Sequence, residues 1–181
     1  IIDSSGKKED INLLQKLPVK AIFLTHPNNE ADINMILGVN EKDLNPNIHK
    51  IISTSSCNAT ALLPALKLIN DKKEILCGDI LTVHPLLNHQ RVLDGSFVKS
   101  DTRDVNCNFE FGRSSTQNII PNKTTTIKAC SFVLPNINQN LISSSSLRVP
   151  TDTVGAINVT LFTKEKSTKN EIIELFEEYE K

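Results

Sequence analysis

Hydrophobic and polar positions alternate along the chain in blocks that predict elements in turn. EDINLLQKL (9–17) sets apolar residues at helical spacing behind an acidic start and predicts a helix. VKAIFLTHP (19–27) is a short apolar run closed by proline, HKIISTSS (49–56) has the same form, and both predict buried strands. NATALLPALKLIND (58–71) puts Ala61, Leu62, Ala65, Leu66 and Ile69 on one helical stripe, and Pro64 fits that helix only within its first turn or two. GDILTVHP (78–85) alternates and predicts a strand, whereas TIKACSFVLP (126–135) fits a helix or a strand equally. LRVPTDTVGAINVTLFT (147–163), rich in β-branched residues, predicts two strands around a turn. KSTKNEIIELFEEYEK predicts a helix opened by a Ser or Thr cap, with Ile172, Ile173, Leu175 and Phe176 on its apolar side. Residues 86–117 are polar and aperiodic, a length that suits a functional or interface loop. The helix–strand–strand order of the first third argues for an α/β arrangement.

Composition narrows the classes. The 181 residues suit one domain, or one domain and part of another. A hydrophobic share of 39% supports a core. A net charge of −1 implies no broad basic face and therefore no nucleic-acid partner. No apolar run reaches the length of a membrane span, and IIDSSGKKED is not a signal peptide, so no membrane partner is expected. The chain opens on apolar residues without an initiator Met, as a piece of a longer protein would. Cys57, Cys77, Cys107 and Cys130 are widely spaced with no CxxC or HxH pair, so no metal site is expected. Sequons at Asn58, Asn122 and Asn158, with the even cysteine count, keep a disulfide-linked secreted glycoprotein open as an alternative. Without a signal peptide the reducing, cytoplasmic reading is favoured.

The candidate chemistry centres on STSSCNATALLP (53–64). A polar run delivers Cys57 at the start of the expected helix, where unpaired peptide N–H groups favour a thiolate. The alternative is a small buried hydrophobe at an element boundary. His84 ends a strand, where it either faces a cleft suited to Cys–His chemistry or is satisfied by a carbonyl. Arg148 offers a bidentate fork for a phosphate or carboxylate, or is a solvated strand-edge charge. Thr124 to Thr126 offer hydroxyl donors to an anion, or are ordinary turn threonines. His26 and His49 are less informative, and His89 falls in the long loop.

Several blocks, in order, resemble the phosphorylating glyceraldehyde-3-phosphate dehydrogenase family, which includes the erythrose-4-phosphate dehydrogenases. GVNEKDLNPNIHKIISTSSCNATALLPALKLIND is similar to the family's strand and catalytic-cysteine segment, and LTVHPLLNHQRVLDG to its catalytic-histidine segment. GRSSTQNIIPNKTTTIKACSFVLP is similar to the segment with the phosphate-binding threonine, and LRVPT to the segment with a phosphate-binding arginine. The resemblance covers essentially the whole chain. It implies an internal piece of the parent: residues 1–56 as the C-terminal remnant of a Rossmann-type NAD-binding domain and 57–181 as a truncated catalytic domain. The implied fold is α/β, with a mixed, mainly antiparallel sheet and helices on one face in the catalytic part. The Gly-rich dinucleotide fingerprint is absent, so weak NAD binding by this chain alone is expected.

The resemblance also implies roles. Cys57 attacks an aldehyde, His84 is the base, and inorganic phosphate resolves the thioester on Cys57. Ser56, Asn58, Thr124, Arg148 and Arg113 bind substrate or phosphate, Gly6 and Thr25 face the NAD or NADP cofactor, and the parent is a homo-tetramer. The departures are Asn58 and Ala59 in place of the family's Thr-Thr, Thr60 for Asn, Leu87 and His89 for Thr and Asp, Phe111 for Arg, and Thr125 for Gly. One anion site is thereby depleted, since leucine cannot hydrogen-bond a phosphate and phenylalanine cannot pair its charge. An erythrose-4-phosphate-type enzyme and a non-catalytic paralogue are the alternatives implied.

Overall fold

The computed structural model describes residues 1–5, 11–88, 90–95 and 112–180. Gly6, His89, Cys107, Phe111 and most of the 86–117 loop lie outside the described residues. The chain forms two compact units: residues Ile1–Gly78, Thr125–Ile142 and Leu161–Lys181 make the first, Asp79–Thr124 and Ser143–Thr160 the second.

In the first unit, β1 (Ile2–Asp3), β2 (Ile22–Leu24), β3 (Ile33–Asn34) and β4 (Ile51–Ser53) form a parallel sheet in the order β1-β2-β4-β3. Burial of Ile22, Leu24, Ile51 and Ile52 explains their unbroken apolar run, because a parallel strand is covered on both faces. Helix α1 (Ile11–Lys16) crosses from β1 to β2, and its Ile11 joins the core of Ile22, Leu24 and Ile51. The Lys50 ammonium donates to the Gln15 and Leu17 carbonyls (2.5 and 2.7 Å), closing the end of a helix too short to hold itself. One oxygen of Asp32 accepts the N–H groups of Lys50 and Ile51 (2.8 and 2.7 Å), tying the lead-in to β3 against β4.

Helix α2 (Cys57–Lys73) follows β4 directly. Its buried positions are Ala59, Leu62, Leu63 and Leu66, an i, i+3, i+4, i+7 set. This corrects the expected stripe. Ala61 is exposed and Ala65 and Ile69 are half-buried, because the helix turns its Leu62–Leu63 side rather than its alanines inward. Pro64 is the eighth helical residue, just past the second turn, and the helix runs on to Lys73. The proline removes one hydrogen bond to the Thr60 carbonyl, and burial of the leucines on either side offsets that loss.

The ambiguous 126–135 stretch is a helix, α3 (Thr126–Val133), which packs against α2. It buries Thr126, Ala129, Cys130 and Val133 at helical spacing, with Ile127 beside them. Helix α4 (Lys169–Tyr179) opens on the expected cap: the Thr168 hydroxyl accepts from the Glu171 N–H and the Glu171 carboxylate accepts from the Thr168 N–H. Its apolar side is shallower than expected, with Ile172 and Leu175 half-buried and Ile173 and Phe176 exposed. Lys73 reaches Glu171 and Glu165 (3.8 and 3.9 Å), and the Tyr179 hydroxyl donates to the Gly38 carbonyl (2.8 Å). Gly38 has φ +78°, which suits glycine.

The second sheet, ordered β6-β7-β5-β8, consists of β5 (Ile75–Pro85), β6 (Ile120–Asn122), β7 (Ile142–Val149) and β8 (Ala156–Thr163). β6 and β7 are antiparallel, with Ile120 opposite Arg148. β5 starts three residues before the expected strand, and β7 starts five before, inside a serine run whose polarity hides it. With four helices and two sheets of differing strand orientation among the described residues, the chain is an α/β fold.

Gly155, in the turn before β8, has no room for a side chain. An added Cβ would strike the Val83 carbonyl oxygen and sit 3.1 Å from Pro85 Cδ, on either side of His84. Gly155→Ala is therefore expected to cost about 1–3 kcal/mol through overpacking. A melting temperature unchanged within a degree would contradict this.

Candidate active site

Cys57 is the first residue of α2 and is exposed. Ser56 is the N-cap, in extended conformation (φ −117°, ψ 158°), and its hydroxyl accepts the Ala59 N–H at 3.3 Å. The Ser56 carbonyl accepts the Thr60 N–H at 2.8 Å, the first bond of the helix. The thiol therefore sits at the positive end of a helix of 17 residues. The buried-hydrophobe alternative does not describe it.

Asn58 is half-buried, and its amide donates to the Thr126 hydroxyl (3.4 Å) at the start of α3. The first unit thus brings the N-termini of α2 and α3 together, with Ser56, Cys57 and Asn58 on one turn. Sequence reasoning grouped Thr126 with a threonine run but gave no sign of this link, which joins positions 68 apart. Two further residues were missed. Ser53 is fully buried, and Ser55 adopts φ +63° with its hydroxyl buried and without a hydrogen-bond partner among the described residues. The STSS run marks the region but neither role, because serine carries no left-handed backbone signal as glycine does.

The other expected site residues lie elsewhere. Thr25 is exposed just past β2, and its N–H donates to the Asp3 carbonyl (3.0 Å) at the carboxyl ends of the parallel strands. Asp3 also accepts the Ser5 N–H (2.9 Å), and the hydrogen bonds from Ser5, backbone first, hold its carboxyl below the ordinary value.

In the second unit, His84 is half-buried near the end of β5, with Nδ1 2.7 Å from the Pro85 carbonyl. If that nitrogen carries the proton, Nε2 is left as the acceptor. Arg148 is half-buried on β7, and Thr124 is half-buried two residues beyond β6. Arg113 is exposed and pairs with exposed Asp94 (3.4 Å). At Leu87, a departure from the resemblance, the turn closes on itself. The Leu87 N–H donates to Gln90 Oε1 (2.8 Å) and the Gln90 N–H to the Leu87 carbonyl (3.0 Å).

Among the described residues, Cys57, Cys77 and Cys130 are free thiols, as the reducing-compartment reading expects. Among the described residues, no cluster of three or more His, Cys, Asp or Glu could hold a metal ion, and no helix is long and apolar enough to cross a membrane.

Cys130, unlike exposed Cys57, is fully buried. Burial in α3 pushes its thiol up from an ordinary 9.0 to about 12. In the unfolded chain it ionises near pH 9.0, so between about 9 and 12 the unfolded state binds fewer protons. The stabilising contribution is complete below 9.0 and is lost as pH rises toward 12. Urea melts at pH 8 and 10.5 are expected to show a smaller pH-dependent loss in Cys130→Ala than in the native chain. Equal losses would refute the assignment.

A parallel sheet whose last strand feeds a helix headed by an exposed cysteine defines an α/β protein. The glyceraldehyde 3-phosphate dehydrogenase C-terminal domain model matches residues 56–181. The chain therefore belongs to the glyceraldehyde-3-phosphate dehydrogenase family. Over 175 residues it is 32% identical to glyceraldehyde-3-phosphate dehydrogenase 1 of Bacillus subtilis (strain 168), covering 95% of this chain and 49% of that one. Over the same length and shares it is 33% identical to the cytosolic enzyme of Antirrhinum majus and 29% identical to that of Geobacillus stearothermophilus. The chain spans about half the length of the curated relatives it matches.

Proposed function

We propose that the full-length protein is a cytoplasmic, tetrameric oxidoreductase that oxidises an aldehyde, a sugar phosphate such as glyceraldehyde 3-phosphate, through Cys57. The observation that carries this reading is an exposed cysteine at the N-terminus of α2, within a chain of this family. Residues 1–56 are read as the tail of the cofactor domain and 57–181 as catalytic, which the family match beginning at residue 56 supports.

Cys57 adds to the aldehyde carbon to give a thiohemiacetal, and His84 is the base that keeps the thiolate available and takes the adduct's hydroxyl proton as its hydride leaves. A bound NAD or NADP would supply the hydride acceptor, leaving a thioester on Cys57. The carboxyl ends of the parallel strands, with Thr25 beside Asp3, fit the edge where open α/β sheets receive ligands. Phosphate attacks the thioester carbon, the Cys57 sulfur leaves, and an acyl phosphate is released. Ser56, Asn58, Thr124, Arg148 and Arg113 are the proposed anion-holding groups. Leu87 has an apolar side chain and an N–H already bonded to Gln90, which favours an aldehyde gripped differently from the usual triose phosphate, as in an erythrose-4-phosphate-type enzyme.

The test is alkylation of each cysteine against pH, read by peptide mass. Cys57 is expected to react at least tenfold faster than exposed Cys77 below pH 7, with His84→Asn slowing it. Equal rates for Cys57 and Cys77 in the folded full-length protein would point to the non-catalytic paralogue.

A further inference from the structure

The backbone immediately before Cys57 is held in an unfavourable shape. Ser55, two residues ahead, has φ +63°, a left-handed conformation that L-residues other than asparagine and aspartate rarely adopt. Its hydroxyl is buried and has no partner among the described residues, so its own side chain does not stabilise this conformation. Strain of this kind persists only where the surroundings impose it.

The surroundings that impose it lie two residues upstream. Ser53, fully buried at the end of β4, uses its hydroxyl in both directions. Ser53 Oγ accepts the Ser55 N–H at 3.1 Å and donates to the His26 carbonyl at 2.8 Å. The neighbouring Thr54 is fastened as well, with its N–H and hydroxyl both donating to the Leu24 carbonyl (2.9 and 3.1 Å). Both anchors belong to β2 and its exit, so the strained turn is braced against the next strand of the parallel sheet. The turn then delivers Ser56 in the extended conformation its capping bond requires.

We propose that Ser53 is a positioning residue for Cys57: its hydroxyl holds Ser55 in the left-handed conformation that sets the thiol at the N-terminus of α2. The proposal rests on the reading of Cys57 as nucleophile only for its catalytic consequence. The positioning itself is testable without it.

Three variants of the full-length protein test it. Ser53→Ala removes the hydroxyl. It is expected to lower the Cys57 to Cys77 alkylation ratio about tenfold and to raise Ser55 amide hydrogen exchange by a similar factor. Ser53→Thr, which keeps the oxygen, is expected to restore both. Ser53→Ala combined with Ser55→Gly is expected to recover the alkylation ratio, because glycine takes positive φ without steric cost. A strand-end tie without a positioning role would lower the melting temperature alone, and glycine would not repair it. An unchanged ratio and unchanged Ser55 exchange in folded Ser53→Ala would overturn the proposal, as would failure of the glycine rescue. If the native protein shows no excess reactivity at Cys57, the nucleophile reading falls, and Ser55 exchange alone decides the role of Ser53. If Ser53→Ala does not fold, the double variant carries the same comparison against native protein, and a ratio tenfold below native there overturns the proposal.

Discussion

Replacing Cys57 by serine in the full-length protein is expected to lower kcat for an aldehyde phosphate, measured with NAD or NADP and inorganic phosphate, by at least about 10³-fold. A hydroxyl at the same place is far less ionised than a thiol and is a much weaker nucleophile. Stability is expected to stay within about 0.5 kcal/mol, because Cys57 is exposed at the first helical residue. The pairing of a large kinetic loss with an unchanged melt separates chemistry from structure. His84→Asn is expected to lose less, about 10²-fold, since a base accelerates a proton transfer that water can still accept. A Cys57→Ser protein that kept a tenth of native turnover would end the thioester mechanism.

Leu66→Ala carries the largest structural effect. Leu66 is fully buried on the side of α2 that also carries Ala59, Leu62 and Leu63, and α2 packs on α3. Truncation is expected to cost about 3 kcal/mol, from lost transfer energy and the cavity left behind. In a chain of this size that is on the order of a 10 °C fall in melting temperature. Ala61→Ser makes the control. The hydrophobic pattern of the sequence puts Ala61 on the same stripe as Leu66, whereas the folded helix exposes it. Its expected change is within about 0.5 kcal/mol. Comparable losses at the two positions would mean that the helix is rotated from the orientation described.

The contrast between these two residues shows how far the hydrophobic pattern carries. Periodicity identifies α2 as a helix because leucines and alanines recur near 3.6 residues, but the alanines at 61 and 65 weigh as heavily in the pattern as the leucines. Volume settles the rotation, since burying Leu62, Leu63 and Leu66 removes more apolar surface from water than burying Ala61 and Ala65 would. The serine run of β7 fails in the opposite way. Its residues have little strand propensity, and the strand exists because β6 and β5 lie on either side to pair with it.

Local chain chemistry by itself determined the cap of α4 at Thr168 and Glu171, the buried strands around Ile22 and Ile51, the helix behind Cys57, and the family to which these segments belong. Each depends on residues within a few positions of one another, where spacing and side-chain type suffice. Only the tertiary structure decided that Thr126–Val133 is a helix, that Asn58 reaches Thr126, that Gly155 lies against Val83, and that Ser55 is held in a left-handed turn by Ser53 and His26. These features depend mainly on contacts between residues distant in sequence. The free energy that selects them comes from burial and from hydrogen bonds formed only once the chain has closed, and no local propensity encodes that.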